Sequence, residues 1–355
     1  MGVNKALIFK KVPEGFPVPG EHLTVEDVGF DAEAPAPQGG ITAEVLYASY
    51  DPYLRGRMRE PNTKSYSPPF ELGKPLVNDT IARVLKSDAA NYQPGDLIKT
   101  FGPFQQYISI DLGAKVQSVY KVDPAQKLDN PHGLEPGFFL GALGMPGLTA
   151  YSSLLEIGKP QKGETIFVSS AAGAVGQVVG QVSKHLGLTV IGSVGSDEKL
   201  DFITKELGFD GGFNYKKESP ADALARLAPQ GIDIYFENVG GEHLAAALDA
   251  MREDGRVVVC GMIEGYNCAP EQRYGVKNLF QLVAKHLTMR GFLVGQPDMG
   301  PKYTQEHQQN VQKWLADGSL KAKLHVTEGI DSAAEGFLGM LKGENFGKAV
   351  LKIKA

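Results

Sequence analysis

The sequence predicts an α/β protein with a Rossmann-type, doubly wound parallel sheet and a second, mostly β, partly barrel-like domain of the GroES type. Three observations support this fold class. Short β-like runs fill the chain up to about residue 130, strands alternate with helices from about residue 164, and a glycine-rich loop joins the first of those strands to its helix. Alternation of strand and helix is typical of βαβ units, which form parallel sheets.

The first part of the chain is rich in Pro, Gly and short apolar runs that favour β structure. The runs are KALIFKKV, ITAEVLYASY, NDTIARVLKS, DLIKTF and QQYISI. Turn signals such as Pro94-Gly95-Asp96 separate them. This pattern predicts a mostly antiparallel domain that is partly closed into a barrel.

The second part of the chain changes from strand to helix and back several times. Strands are predicted at TIFVSS, LTVIGSV, GGFNY, IDIYFEN, RVVVCG and LTMRGFLV. Helices are predicted at AVGQVVGQVSKHLG, DEKLDFITKELG, ADALARLA, HLAAALDAM and VKNLFQLVAKH. This order predicts the dinucleotide-binding type of sheet.

The last part of the chain predicts a return to the first domain. A helix is expected over 303–316, a strand near 321–327, a helix near 331–342 and a final strand at GKAVLKI. We therefore expect a discontinuous substrate domain, residues 1–130 with 317–355, and a Rossmann domain over 131–316.

Composition excludes several classes of function. A net charge of -5 gives no reason to expect nucleic acid or an anionic membrane as partner. Two cysteines, Cys260 and Cys268, cannot form a disulfide framework, and they suit a reducing compartment. The start of the chain does not resemble a secretory signal, and no apolar run approaches the roughly 18 residues of a membrane span. We expect a cytoplasmic protein with a small-molecule substrate.

The loop after the TIFVSS strand has the spacing of a phosphate-binding turn. It reads Ala171-Ala172-Gly173-Ala174-Val175-Gly176, which is G-x-G-x-x-G with Ala in the first position. Gly173 lets the backbone approach a pyrophosphate, and Gly176 lets the helix pack closely on the strand. The helix N-terminus supplies N–H groups and a positive dipole end. The loop predicts a bound dinucleotide; the alternative is a tight strand-to-helix turn with no ligand.

The end of the second strand favours NADP(H) over NAD(H). An NAD site places a carboxylate there to bind the ribose hydroxyls. Here the strand ends at Gly195-Ser196, while Asp197 and Glu198 have the positions of first-turn helix residues. Lys199 follows and could reach a 2′-phosphate; its alternative role is that of a solvated helix lysine.

Neither metal nor nucleophile chemistry is predicted. Both cysteines lie in or after the strand RVVVCG, and the seven histidines form no H-x-x-x-H pair, so we expect no catalytic or structural zinc. No G-x-S-x-G elbow is present. Without a Lewis acid, reduction of a conjugated double bond is favoured over alcohol oxidation.

Several motifs resemble the medium-chain dehydrogenase/reductase superfamily, over nearly the whole chain. They are AAGAVG, GSDEK, FNYKKE, FENVGG, CGMIEGYN, NFGKAVLKI, VPEGFP, DPYLRGRM and GMPGLTAY. The nearer resemblance is to its zinc-free branch of prostaglandin reductases, alkenal double-bond reductases and leukotriene B4 12-hydroxydehydrogenase.

This resemblance implies roles for particular residues. Catalytic or substrate-orienting roles fall on Tyr266, expected near the nicotinamide and the substrate carbonyl, and on Tyr53, expected to line the substrate pocket. The implied cofactor contacts, together with those of the loop and strand end above, are Ala172, Gly173, Ala174, Val175, Gly176, Ser196, Lys199, Tyr215, Asn238, Cys260, Gly261, Met262, Ile263, Tyr266, Phe292, Leu293, Val294 and Asn345.

The resemblance also implies a reaction. Hydride from NADPH would pass to the β-carbon of an α,β-unsaturated aldehyde or ketone, Tyr266 would donate a hydrogen bond to the carbonyl oxygen, and water or a tyrosine would protonate the α-carbon. Relatives often carry Ser and a short residue before the Tyr-Asn pair, where this chain has Glu264-Gly265. That difference bears on which substrate the protein binds and not on which cofactor it binds.

The alternatives are a quinone oxidoreductase, an enoyl reductase of a biosynthetic pathway, and a non-catalytic NADP-binding protein. The family likeness also implies a homodimer, for which the strand LTMRGFLV is the candidate edge.

Overall fold

The computed structural model describes residues 2–114 and 123–354. Contacts along the chain divide it into two compact units. Unit 1 comprises Met1–Leu140 and Leu324–Ala355, and unit 2 comprises Gly141–Lys323. The sequence placed the boundaries at 130/131 and 316/317, whereas the contacts place them at 140/141 and 323/324.

Unit 1 is built mainly from antiparallel strands. Its strands are β1 (Lys5–Phe9), β2 (Leu23–Asp27), β3 (Ile41–Ser49), β4 (Val77–Ser87), β5 (Leu97–Pro103), β6 (Tyr107–Ile110), β7 (Gln126–Lys127), β14 (Leu324–Glu328) and β15 (Lys348–Lys352). Its helices are α1 (Leu54–Arg57) and α9 (Ala333–Leu341), with 3-10 turns at Pro136–Leu140 and Ile330–Ser332.

The described strands of this unit form two sheets. Strands β1 and β2 pair with each other, and a seven-stranded sheet has the order β14-β15-β3-β4-β5-β7, with β6 on β3. Only β14 and β15 pair in parallel within it. The core beneath contains Leu7, Val45, Phe104 and Phe337, all fully buried. The strands predicted from the alternating runs are thus present, and the C-terminal strands join them.

Unit 2 contains the parallel sheet. Its strands are β8 (Thr165–Val168), β9 (Thr189–Val194), β10 (Gly211–Asn214), β11 (Ile232–Glu237), β12 (Met251–Val259) and β13 (Thr288–Gly291). Its α-helices are α2 (Met145–Ser153), α3 (Gly176–His185), α4 (Asp197–Asp201), α5 (Pro220–Leu227), α6 (Gly241–Ala250), α7 (Gln281–Ala284) and α8 (Gly300–Asp317), with π-helical turns at Leu154–Gly158 and Phe202–Glu206 and 3-10 turns at Ile263–Gly265 and Pro270–Gln272.

The six strands have the order β10-β9-β8-β11-β12-β13, and every neighbouring pair is parallel. This is the Rossmann order, in which the chain leaves the middle of the sheet in one direction and then in the other. Strands buried on both faces read as continuous apolar runs, as Thr165–Val168 does. The predicted α/β fold class is confirmed.

The helix predicted over 276–286 is wrong in length. The structure has one turn, Gln281–Ala284, in its place. Phe280 and Val283 are 75% and 67% exposed. Since most helical stability comes from burying an apolar face, a segment whose apolar residues stay outside gains little from further turns.

Close packing between α3 and Phe209, in the loop before β10, depends on Gly180. A Cβ at this position would lie 1.9 Å from Cζ of the buried Phe209 ring. Gly180→Ala should therefore lower the free energy of unfolding by about 1–3 kcal/mol, because the clash outweighs the roughly 1 kcal/mol gain in helix propensity. Chemical denaturation measures it. Gly275→Ala is the control, since a Cβ added there would have no atom within 4 Å; equal losses in both variants would contradict the packing account.

Candidate active site

The predicted cofactor contacts of unit 2 share one place in the fold, the carboxyl edge of the parallel sheet. Residues 172–176 follow β8, Ser196 and Lys199 follow β9, Tyr215 follows β10, Asn238 follows β11, residues 260–263 and Tyr266 follow β12, and residues 292–294 follow β13. Because all six strands are parallel, their carboxyl ends meet at one edge. Open α/β sheets bind ligands in the crevice at this edge.

The glycine loop between β8 and α3 has no room for a side chain at Gly176 and little room for one at Gly173. A Cβ on Gly176 would lie 2.4 Å from the Ser170 carbonyl oxygen, and one on Gly173 would lie 3.1 Å from it. Ser170 itself adopts a left-handed φ of 52°, which is unusual for a residue with a side chain. The glycines thus permit a tight turn into α3, and the first N–H groups of a helix, which have no partner within the helix, suit an anion.

Lysines lie at the ends of β9 and β10, and the Asp197 carboxylate at this place already has hydrogen-bond and ion-pair partners. Ser196 caps α4 by accepting the Lys199 N–H at 3.3 Å. Asp197 accepts the Asn214 side-chain amide at 2.9 Å and pairs with Lys217. Burial, and secondly the charge of nearby Lys216, lowers the pKa of the Lys199 ammonium. Two ammonium groups that disfavour each other create a region suited to an anion.

Lys216 was not among the predicted contacts, although two consecutive lysines follow the third strand of the sheet. Tyr215, beside it, lies against β9. A Cβ on Gly195 would be 3.1 Å from the Tyr215 hydroxyl. A glycine at the strand end therefore allows the tyrosine to approach.

A buried carboxylate, which was not predicted from the sequence, binds the backbone after β11. Glu237 is fully buried, and its Oε1 accepts the N–H of Val239 at 2.6 Å, the N–H of Gly240 at 2.8 Å and the Tyr235 hydroxyl at 2.8 Å. Burial raises the pKa of its carboxyl. In the sequence, the sign of this buried group is an acidic residue, Glu237, at the end of an apolar strand.

Asn238 joins the ends of β8 and β11. Its backbone N–H donates to Ser169 Oγ at 2.9 Å, and its side-chain amide donates to the Ser169 carbonyl at 2.8 Å. The Asn238 side chain is therefore fixed directly before the glycine loop begins.

The loop after β12 contains Tyr266. The N–H groups of Cys260 and Gly261 donate to the Glu237 carbonyl at 3.0 and 3.1 Å. A Cβ on Gly261 would lie 3.2 Å from the Tyr266 hydroxyl, so this hydroxyl rests over Gly261. Burial raises the pKa of the Cys260 thiol to about 12, which keeps it protonated.

The side chains of Glu264 and Met262 in this loop pack on the segment after β11. A Cβ on Gly241 would lie 3.1 Å from Cδ of Glu264, so this side chain packs on the start of α6. Met262 covers Gly240 in the same way, at 3.0 Å from the corresponding position. The loop is thus packed on the segment after β11.

The remaining predicted residues lie at other points. Residues 292–294 lead from β13 to α8, where the Val294 carbonyl accepts the Gly300 N–H at 2.8 Å. Asn345 and Tyr53 belong to unit 1. The Asn345 amide donates to the Gly347 carbonyl at 2.7 Å, and the Tyr53 hydroxyl donates to Asn78 Oδ1 at 2.7 Å. Their predicted roles stay predictions.

In residues 2–114 and 123–354, no three His, Cys, Asp or Glu side chains are grouped so that they could hold a metal ion. The predicted absence of zinc stays a prediction. Among the helices of those same ranges, none has the length and hydropathy needed to cross a bilayer.

Comparison with known proteins identifies the family. Residues 174–309 match the family model described as "Zinc-binding dehydrogenase", and residues 5–119 match "N-terminal domain of oxidoreductase". The chain is 54% identical over 350 residues to the "NADP-dependent oxidoreductase RED1" of Cochliobolus heterostrophus, covering 99% of this chain and 97% of that protein.

Two further matches extend the likeness. The "2-alkenal reductase (NADP(+)-dependent)" of Nicotiana tabacum is 39% identical over 352 residues, covering 99% of this chain and 97% of its own. The crystal structure of CurA in complex with NADPH from Vibrio vulnificus superposes with a TM-score of 0.86 at 33% identity, covering 99% of each chain.

With these identities over nearly its whole length, the chain belongs to the medium-chain dehydrogenase/reductase family. Within that family it falls in the zinc-free branch of NADP-dependent oxidoreductases that includes the alkenal reductases. The resemblance drawn from the sequence motifs is confirmed.

An aromatic cluster behind Tyr215 contains a buried histidine. His243 stacks with Phe167 and Phe213 at centroid distances of 6.4 and 6.3 Å and meets Tyr215 edge-on at 5.3 Å. Burial lowers its pKa from 6.5 to about 4. The folded state therefore excludes a proton that the unfolded chain binds below pH 6.5.

Stability should fall as pH falls from 6.5 to 4, because His243 must stay neutral in the folded protein. Between pH 7 and pH 5 its contribution to that loss is about 2 kcal/mol. His243→Phe, which keeps an aromatic ring, should reduce the loss by this amount in urea unfolding at the two pH values. His132→Gln, at an exposed position, is the control. An identical pH dependence in His243→Phe and the parent protein would rule out His243 as the source.

Proposed function

We propose that this protein is an NADPH-dependent reductase that transfers hydride to the β-carbon of α,β-unsaturated aldehydes or ketones. The observation that carries the proposal is the position of the Tyr266 hydroxyl over Gly261, at the carboxyl edge where the glycine loop and the Lys199 region also lie. The naming of a relative as a 2-alkenal reductase supports it.

The residues at this edge fit a phosphorylated dinucleotide. Gly173 and Gly176 allow the tight turn into α3, and we place the pyrophosphate at the N-terminus of this helix. Lys199, Lys216 and Tyr215 would hold the 2′-phosphate, since two neighbouring ammonium groups favour a doubly charged anion. The capping hydroxyl of Ser196 lies at the same helix end.

The other half of the cofactor would meet the ends of β11, β12 and β13. We assign this contact to Asn238, to the loop 260–263 with Tyr266, and to residues 292–294. Glu237 acts on them indirectly: it fixes the backbone after β11, and its carbonyl accepts the N–H groups that begin the loop after β12. Asn345 of unit 1 remains a predicted contact.

When bound, NADPH supplies the hydride that a conjugated double bond accepts at its β-carbon. Negative charge then develops on the carbonyl oxygen of the substrate, and a preorganised donor aimed at that oxygen stabilises the transition state. We assign this donor to the Tyr266 hydroxyl, which the loop after β12 holds against Gly261. Tyr53 is proposed as a wall of the substrate pocket.

We also propose a homodimer. Strand β13 is one of the two edges of the six-stranded sheet, and Phe280 and Val283, which precede it, expose apolar side chains. An unpaired edge beside apolar surface suits pairing with a second copy. Sedimentation equilibrium tests this: a mass equal to one chain at micromolar concentration would contradict it.

The activity is tested by NADPH oxidation with a panel of enones, enals and quinones. Enones or enals should be the faster substrates, and Tyr266→Phe should lower kcat on them about 100-fold, the typical cost of removing one oxyanion donor. Tyr274→Phe, at a tyrosine that is 49% exposed, is the matched control and should keep its rate. Faster oxidation by quinones, or full activity in Tyr266→Phe, would contradict the proposal.

Cofactor choice is tested at the two lysines. Lys199→Ala and Lys216→Ala should each raise KM for NADPH about 10- to 100-fold, the scale of a lost charge-assisted hydrogen bond, while KM for NADH stays within about twofold. Lys205→Ala removes a lysine of the same region whose ammonium pairs with Asp201 at the surface, and it should change neither. Equal losses with both cofactors would mean that these lysines do not bind the 2′-phosphate.

A further inference from the structure

The loop after β9 carries a carboxylate at the place where Rossmann sheets distinguish their cofactors. Strand β9 ends at Val194, and Asp197 follows three residues later as the first residue of α4. A carboxylate at this strand end accepts the ribose hydroxyls of NAD(H), and it repels the 2′-phosphate of NADP(H). A protein that uses NADP(H), as this branch of the family does, must therefore keep such a carboxylate from the ribose.

Both oxygens of the Asp197 carboxylate are bound by residues at the end of β10. Oδ1 accepts the Asn214 side-chain amide at 2.9 Å, and Oδ2 forms an ion pair with the Lys217 ammonium. These hydrogen bonds, that from Asn214 first, lower the pKa of the Asp197 carboxyl, so this group stays ionised at neutral pH. The negative charge is thus retained, but it faces the end of β10 and a cation offsets it.

Asn214 is fixed in the orientation that this contact needs. It is buried, and it lies in register with Val194 of β9. Its side-chain oxygen accepts the Lys216 N–H at 3.1 Å, which directs the amide nitrogen to Asp197. The reversed amide would place an oxygen against the carboxylate and an NH₂ group against an N–H.

The turn after β10 gives two consecutive lysines different neighbours. The Asn214 carbonyl accepts the Lys217 N–H at 2.9 Å, which closes the turn. The charge of Lys216 helps to lower the pKa of Lys199, so these two ammonium groups lie near each other. Lys217 instead pairs with Asp197. One lysine therefore adds to the positive charge near Lys199, while the next neutralises the carboxylate beside it.

We propose that Lys217 and Asn214 determine the cofactor preference by holding the Asp197 carboxylate away from the ribose. They prevent this carboxylate from accepting the hydroxyls of NADH and from repelling the 2′-phosphate of NADPH. Because they act on the cofactor through Asp197, they are positioning residues. Control of a repulsive group is one of the two ways to obtain specificity. This inference rests on the proposed function, in particular on a 2′-phosphate held near Lys199.

The test removes the cation of the pair and measures binding instead of turnover. The readout is the ratio of the dissociation constant of NADH to that of NADPH, from titration calorimetry of the whole protein. Lys217→Ala should lower this ratio about 10-fold, the scale of one charge-assisted hydrogen bond, through tighter NADH and weaker NADPH binding. Lys217→Arg keeps the ion pair and should keep the ratio. The Lys217 side chain is 66% exposed, so these variants disturb no core contact.

Arg226 supplies a matched control. Its guanidinium pairs at 2.6 Å with Glu218, the residue after Lys217. Arg226→Ala removes one cation from the same surface and should leave the ratio unchanged. An equal fall in Arg226→Ala and Lys217→Ala would mean that only the net charge of this surface matters, and it would overturn the inference.

A double-mutant cycle shows whether Lys217 acts through Asp197. Asp197→Asn keeps an oxygen for the Asn214 amide but has no charge to release, so adding Lys217→Ala to it should leave the ratio unchanged. A similar fall in this background, as expected of a lysine that binds the phosphate itself, would overturn the inference. So would an unchanged ratio in Lys217→Ala alone. A parent protein that binds neither dinucleotide would instead contradict the proposed function.

Discussion

Parallel pairing of the six strands in unit 2 is the constraint on which the site depends. Residues far apart in sequence, from Gly173 to Val294, follow strand ends that all open at one edge. Antiparallel pairing of any one strand would move its loop to the opposite edge. The Glu237 carboxylate fixes the site locally. It binds the backbone N–H groups after β11, and through the Tyr235 hydroxyl it is linked to Ser169 at the end of β8.

Buried hydrogen bonds order the start of the loop that carries Tyr266 and the side chain of Tyr53, each within its own unit. In unit 2, hydrogen bonds to the Glu237 carbonyl begin the loop that carries Tyr266. In unit 1, the Asp51–Lys348 pair orients the amide that receives the Tyr53 proton. Buried charges are costly unless they are paired and hydrogen-bonded. The Asp51–Lys348 pair meets both conditions, and it fixes the direction of the Asn78 amide, which an apolar core could not fix.

The sequence predicted those features that depend on local pattern. The glycine spacing predicted the tight turn between β8 and α3, which the structure has. First-turn helix chemistry predicted that Asp197 begins a helix, and in α4 its carboxylate binds Asn214 and Lys217. Features that depend on long-range contact were not accessible. Nothing near Asn78 in the sequence reveals its partners Asp51 and Tyr53, which a distant Lys348 supports. The short α7 was also missed, because periodicity alone does not show whether Phe280 finds a partner to pack against.

The central claim is that hydride reaches the β-carbon of a conjugated carbonyl compound. NADPH carrying deuterium at C4 of the nicotinamide, prepared in both stereochemical forms, can be oxidised with benzylideneacetone and the product analysed by NMR. The account predicts a saturated ketone with deuterium on the β-carbon from one of the two forms. Deuterium on the former carbonyl carbon, in an alcohol product, would contradict it.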